Sequence, residues 1–166
     1  MGIVRRGKVG TKTRTIRPAG QDDAESAAVL LRRFFAEEGF ATPPDLIRSR
    51  LALMLADETS AVFLAWEGDV AAGVATVTTS VGIELGRSAE LDDLYVLPDC
   101  RGQGIARDLI AAVRAWCQAH DVTTLSIVVT PEGQDAHDLV AFYRKRGFHD
   151  TGRKILSVEL PNPSGA

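Results

Sequence analysis

The stretch LDDLYVLPDCRGQGIARDLI, residues 91–110, contains three different patterns in succession. An apolar run with two adjacent carboxylates leads into a glycine-rich turn, and an amphipathic segment follows. This order predicts a strand, a tight turn and a helix. The first four N–H groups of a helix have no partner within it, and the helix dipole is positive at that end. The turn is therefore a candidate anion-binding site.

Two common phosphate-binding motifs are absent from this turn. The chain has no GxxxxGK[ST] motif, and GQGIAR, residues 102–107, has Arg107 where GxGxxG requires its third glycine. Sites for nucleoside triphosphates and dinucleotides are therefore disfavoured.

Outward from this stretch, the sequence predicts a mixed α/β domain. Alternating apolar runs predict strands, and apolar residues at helical spacing, bounded by acids, prolines and glycines, predict helices. The order implies a largely antiparallel sheet with one parallel crossover through the helix at 104–120. The predicted strands cover 13–19, the two arms of a hairpin around Gly68, 89–97, 122–130 and 154–160, and the predicted helices cover 22–38, 43–57, 104–120 and 135–146.

Length and composition are those of one globular domain. The chain has 166 residues, of which 45% are hydrophobic and 25% charged. No apolar run approaches the roughly 20 residues of a membrane span, and no signal peptide is evident. We expect a cytoplasmic protein without a membrane partner, either a monomer or a homodimer. Cys100 and Cys117 have no partners at metal-ligand spacing, so we expect free thiols and no metal site.

Charge is unevenly distributed along the chain. Residues 1–17 contain six basic residues and no acidic one, which leaves 13 basic against 22 acidic residues in the remainder. A short basic arm without aromatic residues is typical of a solvated terminus. The acidic body argues against nucleic-acid binding and favours cationic small molecules as partners.

Two motifs resemble signatures of the GNAT family of N-acetyltransferases. Arg101-x-x-Gly104-x-Ala106 is similar to the family's acetyl-CoA diphosphate signature, and LVAFYRKRGF, residues 139–148, is similar to its second signature. The resemblance implies a single-domain fold over residues 13–160, with a basic arm at 1–12 and a flexible tail at 161–166. It implies a mixed, mostly antiparallel sheet of about six to seven strands with about four flanking helices.

The resemblance also implies acetyl-CoA as the cofactor. Its pantetheine would lie between the splayed strands at 89–97 and 122–130 and pair with backbone of the first. Its diphosphate would bind amides of residues 102–107. The implied cofactor-binding residues are Leu94, Tyr95, Val96, Arg101, Gly102, Gln103, Gly104, Ile105, Ala106 and Arg107.

Transfer of an acetyl group to an amine requires a base for the ammonium and benefits from an acid at the departing thiolate. Strand alternation places Glu90 and Asp92 on one face and Asp93 on the other, although a bulge would shift this by one residue. We predict Asp92 as the base, with Asp93 as the alternative. The second signature implies that Tyr143 is the general acid.

The acceptor is the least specified part of the reaction. Aromatic and acidic residues of the first helix, with an acid of the central strand, suit a cationic amine such as an aminoglycoside or polyamine. A protein or peptide amine, and a non-catalytic acyl-CoA-binding module, remain alternatives. The candidate acceptor-binding residues are Phe35, Glu38 and Glu90.

Overall fold

The computed structural model describes residues 13–160, so the predicted basic arm and tail lie outside the described residues. The order of elements confirms the predicted first strand, the first three helices and the hairpin. The strands are β1 (Arg14–Pro18), β2 (Ser60–Glu67), β3 (Val70–Gly82), β4 (Gly86–Val96) and β5 (Thr124–Ser126), and the helices are α1 (Ala24–Glu38), α2 (Pro44–Ala56), α3 (Ile105–Ala119), α4 (Pro131–His137) and α5 (Leu139–Arg144).

The sheet has the order β1-β2-β3-β4-β5. The first four strands are antiparallel to their neighbours, and β5 runs parallel to β4 after the crossover through α3. The predicted mixed, mostly antiparallel sheet and the single parallel crossover are therefore confirmed. Among the described residues the sheet has five strands, fewer than the six to seven expected.

Two buried clusters cover the two faces of the sheet. On the α3 face, Leu109 and Val113 pack against Val77 and Leu91 of the central strands. On the α1/α2 face, residues of both helices pack against a second set of strand side chains that includes Val74 and Tyr95. The central strands are thus covered on both faces, which holds β4 rigidly between two helical layers.

Local signals set the ends of α1 and α2. Gly39 adopts φ 75°, a left-handed conformation that suits glycine, and its N–H donates to the carbonyl of Phe35 at the end of α1. Pro44 occupies the first turn of α2, where a missing N–H costs no helical hydrogen bond. Both signals are readable in the sequence.

The predicted helix at 135–146 is instead two short helices. The Thr130 hydroxyl caps α4 by accepting from the N–H of Gly133, so helix begins four residues before the predicted start. Asp138 then adopts φ 47° and separates α4 from α5. The Gln134 side chain bridges the break by accepting from the N–H of Val140. The sequence prediction missed this kink because no proline or glycine marks it.

Two predicted strands differ from the structure. The ladder between β4 and β5 covers only Thr124–Ser126 of the predicted 122–130. Residues 154–160 form no strand, and their apolar side chains, such as Leu156 and Val158, are exposed. An alternating pattern shows that a segment can form a strand, but a strand also needs a neighbouring backbone. No described residue supplies that backbone to 154–160.

Candidate active site

The paired carboxylates of β4 lie at a bulge. Thr76 pairs with Asp93 and Val77 pairs with Leu91, so Asp92 is an extra residue in the β4 ladder. A bulge of this kind bends the strand and interrupts the alternation of its side chains. The two-residue period therefore does not hold across this part of β4.

Both carboxylates consequently lie on the α1/α2 face. Thr76 and Thr78 alternate along β3 with Val74, which belongs to the cluster on that face. The Thr76 hydroxyl donates to Asp93 and the Thr78 hydroxyl donates to Asp92. Simple alternation, which put Asp92 and Asp93 on opposite faces, does not hold here, and the bulge considered as the exception is present. The two threonines were missed, although polar residues at alternate positions of an apolar strand could have indicated them.

Asp93 is the more enclosed of the pair. Its Oδ2 lies 2.6 Å from the Thr76 hydroxyl, and its own backbone N–H donates to the same hydroxyl oxygen at 3.1 Å. Burial raises the pKa of Asp93, while the hydrogen bond from Thr76 lowers it. The two hydrogen bonds between Thr76 and Asp93 hold the Asp93 carboxyl against β3. A carboxyl held in this way is suited to orienting a neighbouring group.

Asp92 is accessible to solvent and only loosely held, with the Thr78 hydroxyl 3.3 Å away. The neighbouring protein removes part of its hydration, which raises the pKa of Asp92 to about 6; the Thr78 hydrogen bond opposes this, and repulsion from Asp93 and Glu90 adds to it. A carboxylate with this pKa is ionised near neutral pH and is a stronger base than an ordinary aspartate. Accessibility and basicity together favour Asp92 as the group that meets an ammonium ion.

The predicted anion site is an open, tight turn. Gly102 and Gly104 adopt φ of 75° and 86°, which a residue with a side chain reaches only with strain. A Cβ added at Gly102 would meet nothing within 4 Å. Within residues 13–160, no oxygen accepts a hydrogen bond from the N–H groups of residues 102–107. The turn therefore presents a row of free donors at the start of α3.

Arg101 is directed toward α1. Its Nη2 donates to both carboxylate oxygens of Glu37, at 2.6 and 2.8 Å, and its Nε donates to the carbonyl of Val96. The guanidinium also lies over the Tyr95 ring, 5.5 Å from its centroid. Arg101 thus ties the turn to the end of α1. The sequence did not predict this contact between Glu37 and Arg101, since nothing local links two residues that lie 64 positions apart.

β4 and β5 separate where the resemblance predicted a gap. Their pairing ends at Glu90 and Ser126, and no further rungs join the following residues of the two strands. Beyond that point no strand within residues 13–160 pairs with the β5 side of the β4 backbone, which includes Leu94, Tyr95 and Val96. The side chains of Tyr95 and Val96 are buried, so these two residues can contact a ligand in the gap through their backbone.

Tyr143 lies in the cluster on the α3 face, opposite the carboxylates. Its ring is buried and packs edge-on against Phe142 and Phe148. Burial raises the pKa of Tyr143 to about 12. Among the described residues, no hydrogen bond joins its hydroxyl to Asp92, Asp93 or any other group. The structure therefore leaves this hydroxyl protonated and available as a donor.

The three candidate acceptor-binding residues lie on or beside the α1/α2 face. Phe35 packs edge-on against Phe40, with ring centroids 5.3 Å apart, at the end of α1. One helical turn after Phe35, the Glu38 carboxylate Oε1 lies 3.7 Å from the ring nitrogen Nε2 of His137 in α4. Glu90 pairs with Thr78 on β3, next to the contact of Asp92. Acids and aromatic rings thus lie on the same face of the sheet as the carboxylate pair.

Metal ligation and membrane insertion find no support in the described part of the chain. Within residues 13–160, no three His, Cys, Asp or Glu side chains cluster as a metal site. Over the same residues, every helix is too short or too polar to span a bilayer. Cys100 and Cys117 are free thiols, as expected.

Comparison with known proteins assigns the family. Residues 25–148 match the profile of the Acetyltransferase (GNAT) family. The chain belongs to the GNAT acetyltransferase family. This acetyltransferase is 33% identical over 146 residues to an aminoglycoside N(6')-acetyltransferase type 1 of Stenotrophomonas maltophilia, covering 85% of this chain and 90% of the relative. It is 32% identical over 84 residues to the peptidyl-lysine N-acetyltransferase YjaB of Salmonella typhimurium, covering 50% and 52% of the two chains.

Solved structures agree with the fold of this acetyltransferase. The aminoglycoside N-acetyltransferase AAC(6')-Iy in complex with CoA superposes with a TM-score of 0.77 at 24% identity, over 95% of this chain and 99% of that one. Family and fold together make the protein an acyltransferase and confirm the predicted α/β architecture. The roles of individual site residues stay predictions.

Proposed function

We propose that this acetyltransferase uses acetyl-CoA to acetylate a primary amine of a cationic small molecule, in the manner of an aminoglycoside or polyamine acetyltransferase. The observation that carries the proposal is the β4 bulge. It places a solvent-accessible carboxylate with a pKa of about 6 on the same face as the acids and aromatic rings of α1. A proposed base and a cation-attracting surface thus share one face of the sheet.

The residues of the turn fit the diphosphate of acetyl-CoA. The free N–H groups of residues 102–107 and the positive end of α3 favour a doubly anionic group, and Gly102 leaves room for it. The unpaired backbone of Leu94 to Val96 would hold the pantetheine amides in the gap beside β5. Solved relatives in complex with CoA support this cofactor.

When bound, acetyl-CoA supplies a thioester whose carbonyl carbon forms the new C–N bond with the amine as the C–S bond breaks. Asp92 accepts the proton that the ammonium ion must lose, directly or through water. Asp93, fixed by Thr76, keeps a second carboxyl beside it and raises the pKa of Asp92. Tyr143, with a pKa of about 12, is suited to donate a hydrogen bond to the leaving sulfur.

The acceptor assignment rests on charge and on relatives. Phe35, Glu38 and Glu90 offer an aromatic face and carboxylates, which attract several ammonium groups at once. The relative from Stenotrophomonas maltophilia, similar over most of its length, is named for an aminoglycoside. The named peptidyl-lysine relative matches only half of this chain, which makes a peptide amine the second candidate.

A panel of amines decides between these acceptors. Free-thiol release from acetyl-CoA would be followed with aminoglycosides, polyamines, a lysine-containing peptide and no amine. We expect release with an aminoglycoside or polyamine well above that with the peptide. Faster release with the peptide would transfer the assignment to peptide amines, and no binding of acetyl-CoA at millimolar concentration by calorimetry would remove the cofactor.

A further inference from the structure

Arg14, the first residue of β1, connects the start of the described chain to the turn before α3. Its Nη1 donates to the carbonyl oxygen of Gln103 at 2.8 Å, although the two residues are 89 positions apart. The same nitrogen contacts Asp108 at 3.1 Å, and Nε donates to Glu67 at 2.6 Å. One guanidinium therefore joins β1, β2, the turn and the first part of α3.

The bond to Gln103 fixes the direction of a peptide group. A trans peptide is planar, so its C=O and N–H point in opposite directions. With the Gln103 oxygen held by Arg14, the Gly104 N–H must point away from Arg14. Gly102 and Gly104 flank this segment, and glycine permits many backbone conformations, so the turn does not fix that direction by itself.

A reversed peptide would be costly for an anion site. It would turn the Gln103 oxygen toward the ligand in place of an N–H group, and a partial negative charge would then face a phosphate. The free N–H groups of residues 102–107 serve a diphosphate only while they point the same way.

Arg14 is not itself a free positive charge for the ligand. Glu67 and Asp108 both pair with it, and their contacts raise the pKa of Arg14. Burial would raise the pKa of Asp108, but hydrogen bonds from Arg107 and Arg14 hold it below its usual value. Both carboxylates are thus held beside the guanidinium. The contribution of Arg14 is geometric.

We propose that Arg14 is a positioning residue for the cofactor turn, whose bond to the Gln103 carbonyl keeps the Gly104 N–H directed at the diphosphate of acetyl-CoA. This inference rests on the proposed cofactor. It assigns a role in cofactor recognition to the first strand, which contributes no residue to either sequence signature.

The test compares two acetyl donors, one with a diphosphate and one without. Arg14→Ala should lower kcat/KM for acetyl-CoA about tenfold, equivalent to ~1.4 kcal/mol, with the change in the KM for acetyl-CoA. Turnover of acetyl-pantetheine, which lacks the diphosphate, should change less than about twofold. A general loss of structure would reduce both rates alike. A change in the ratio of the two rates therefore reports an effect on diphosphate binding at the turn.

Two further variants make the result decisive. Arg14→Lys keeps the charge and most of the stem but not the forked geometry, so it should give an intermediate loss with acetyl-CoA. Arg17→Ala removes another arginine of β1, which pairs with Asp23 and has no contact with the turn, and should leave the donor ratio unchanged. All variants would be assayed below their thermal unfolding transitions.

The outcomes separate the inference from the proposed function. An unchanged donor ratio in both Arg14 variants would overturn the role of Arg14 while leaving acetyl transfer intact. Equal use of acetyl-CoA and acetyl-pantetheine by the unaltered protein would instead overturn the diphosphate site. No turnover of either donor by the unaltered protein would overturn the proposed reaction.

Discussion

The cofactor turn and the carboxylate pair adjoin along β4 but are built in different ways. The turn is a contiguous segment whose two glycines adopt left-handed conformations and whose amides open onto space. The carboxylate pair depends on a bulge in β4 and on hydrogen bonds from Thr76 and Thr78 of the neighbouring β3. One half of the site is thus local in sequence, whereas the other is assembled by tertiary pairing. Substitutions should separate the two halves, because one set should affect cofactor binding and the other should affect chemistry.

The largest effect is expected at Asp92. Asp92→Asn removes the proposed base while keeping the shape of the side chain, so kcat/KM should fall by about 10²–10⁴-fold. The affinity for CoA, measured by calorimetry, should stay within about twofold, because the turn is untouched. Asp93→Asn is the matched control and should cost less activity. A larger loss at Asp93 than at Asp92 would reverse their roles.

The pH dependence of the reaction should report the same carboxyl group. Asp92 has a pKa of about 6 and acts as a base only when ionised, so kcat/KM should fall about tenfold per unit as pH decreases below 6. The affinity for CoA should not decrease over the same pH range. A limb centred near the ordinary aspartate value, about 3.9, would show that the bulge leaves the basicity of Asp92 unaltered.

Substitution of Thr76 tests whether the carboxylate pair depends on hydrogen bonds from β3. Thr76 is fully buried, and Thr76→Val removes the hydroxyl that bonds both the carboxyl and the N–H of Asp93. The free energy of unfolding at pH 7 should fall by about 1–3 kcal/mol, and the pKa of Asp93 should rise further. Urea titration measures the first quantity.

Thr78→Val is the control for this change. Thr78 is only partly buried and makes one longer bond, so the same measurement should show a smaller loss. Equal losses in the two variants would mean that the reciprocal bonds of Asp93 contribute no special stability.

Substitution of Gly104 tests the turn before α3, the half of the site that is local in sequence. Its φ of 86° makes Gly104→Ala strained by about 1–2 kcal/mol, and the new Cβ would also press on the Arg107 guanidinium, 3.2 Å away. Stability should fall by about that amount, and CoA affinity should fall with it.

Gly86→Ala distinguishes strain from site geometry. Gly86 has a φ of 65° with open space around it, but it begins β4, at the end of that strand farthest from the turn. We expect a similar loss of stability with unchanged CoA affinity. A parallel loss of CoA affinity in both variants would point to general destabilisation.

The smallest effect is the stability change of Asp92→Asn. The folded-state pKa of about 6 exceeds the usual value, so the folded chain binds this proton more tightly than the unfolded one. The charged form therefore destabilises the fold, fully so above pH 6, and the variant should gain stability there and lose that gain as pH falls from 6 to 4. Screening of this accessible group should keep the gain to about 1 kcal/mol or less. Thermal unfolding at pH 7.5 and pH 4 would measure it.

Local sequence patterns predicted most of the helices and strands of the fold. The strand, turn and helix at 91–110, the hairpin at Gly68 and the ends of α1 and α2 all follow from short-range signals. Such signals act through backbone conformation and the first hydrogen bonds of a helix, which depend on neighbouring residues alone. For the same reason the position of the cofactor turn was predictable.

Only the tertiary structure decided how the site is oriented. Asp92 and Asp93 lie on the same face of the sheet because of the way β4 is aligned with β3. The contacts of Arg101 with Glu37 and of Arg14 with Gln103 join residues that are distant in sequence. The missing strand at 154–160 and the break at Asp138 are of the same kind. A sequence specifies which groups can form a bond, but which partner comes within about 3 Å depends on how the elements pack. The sequence therefore determined the chemistry available to this protein, and packing determined which groups meet.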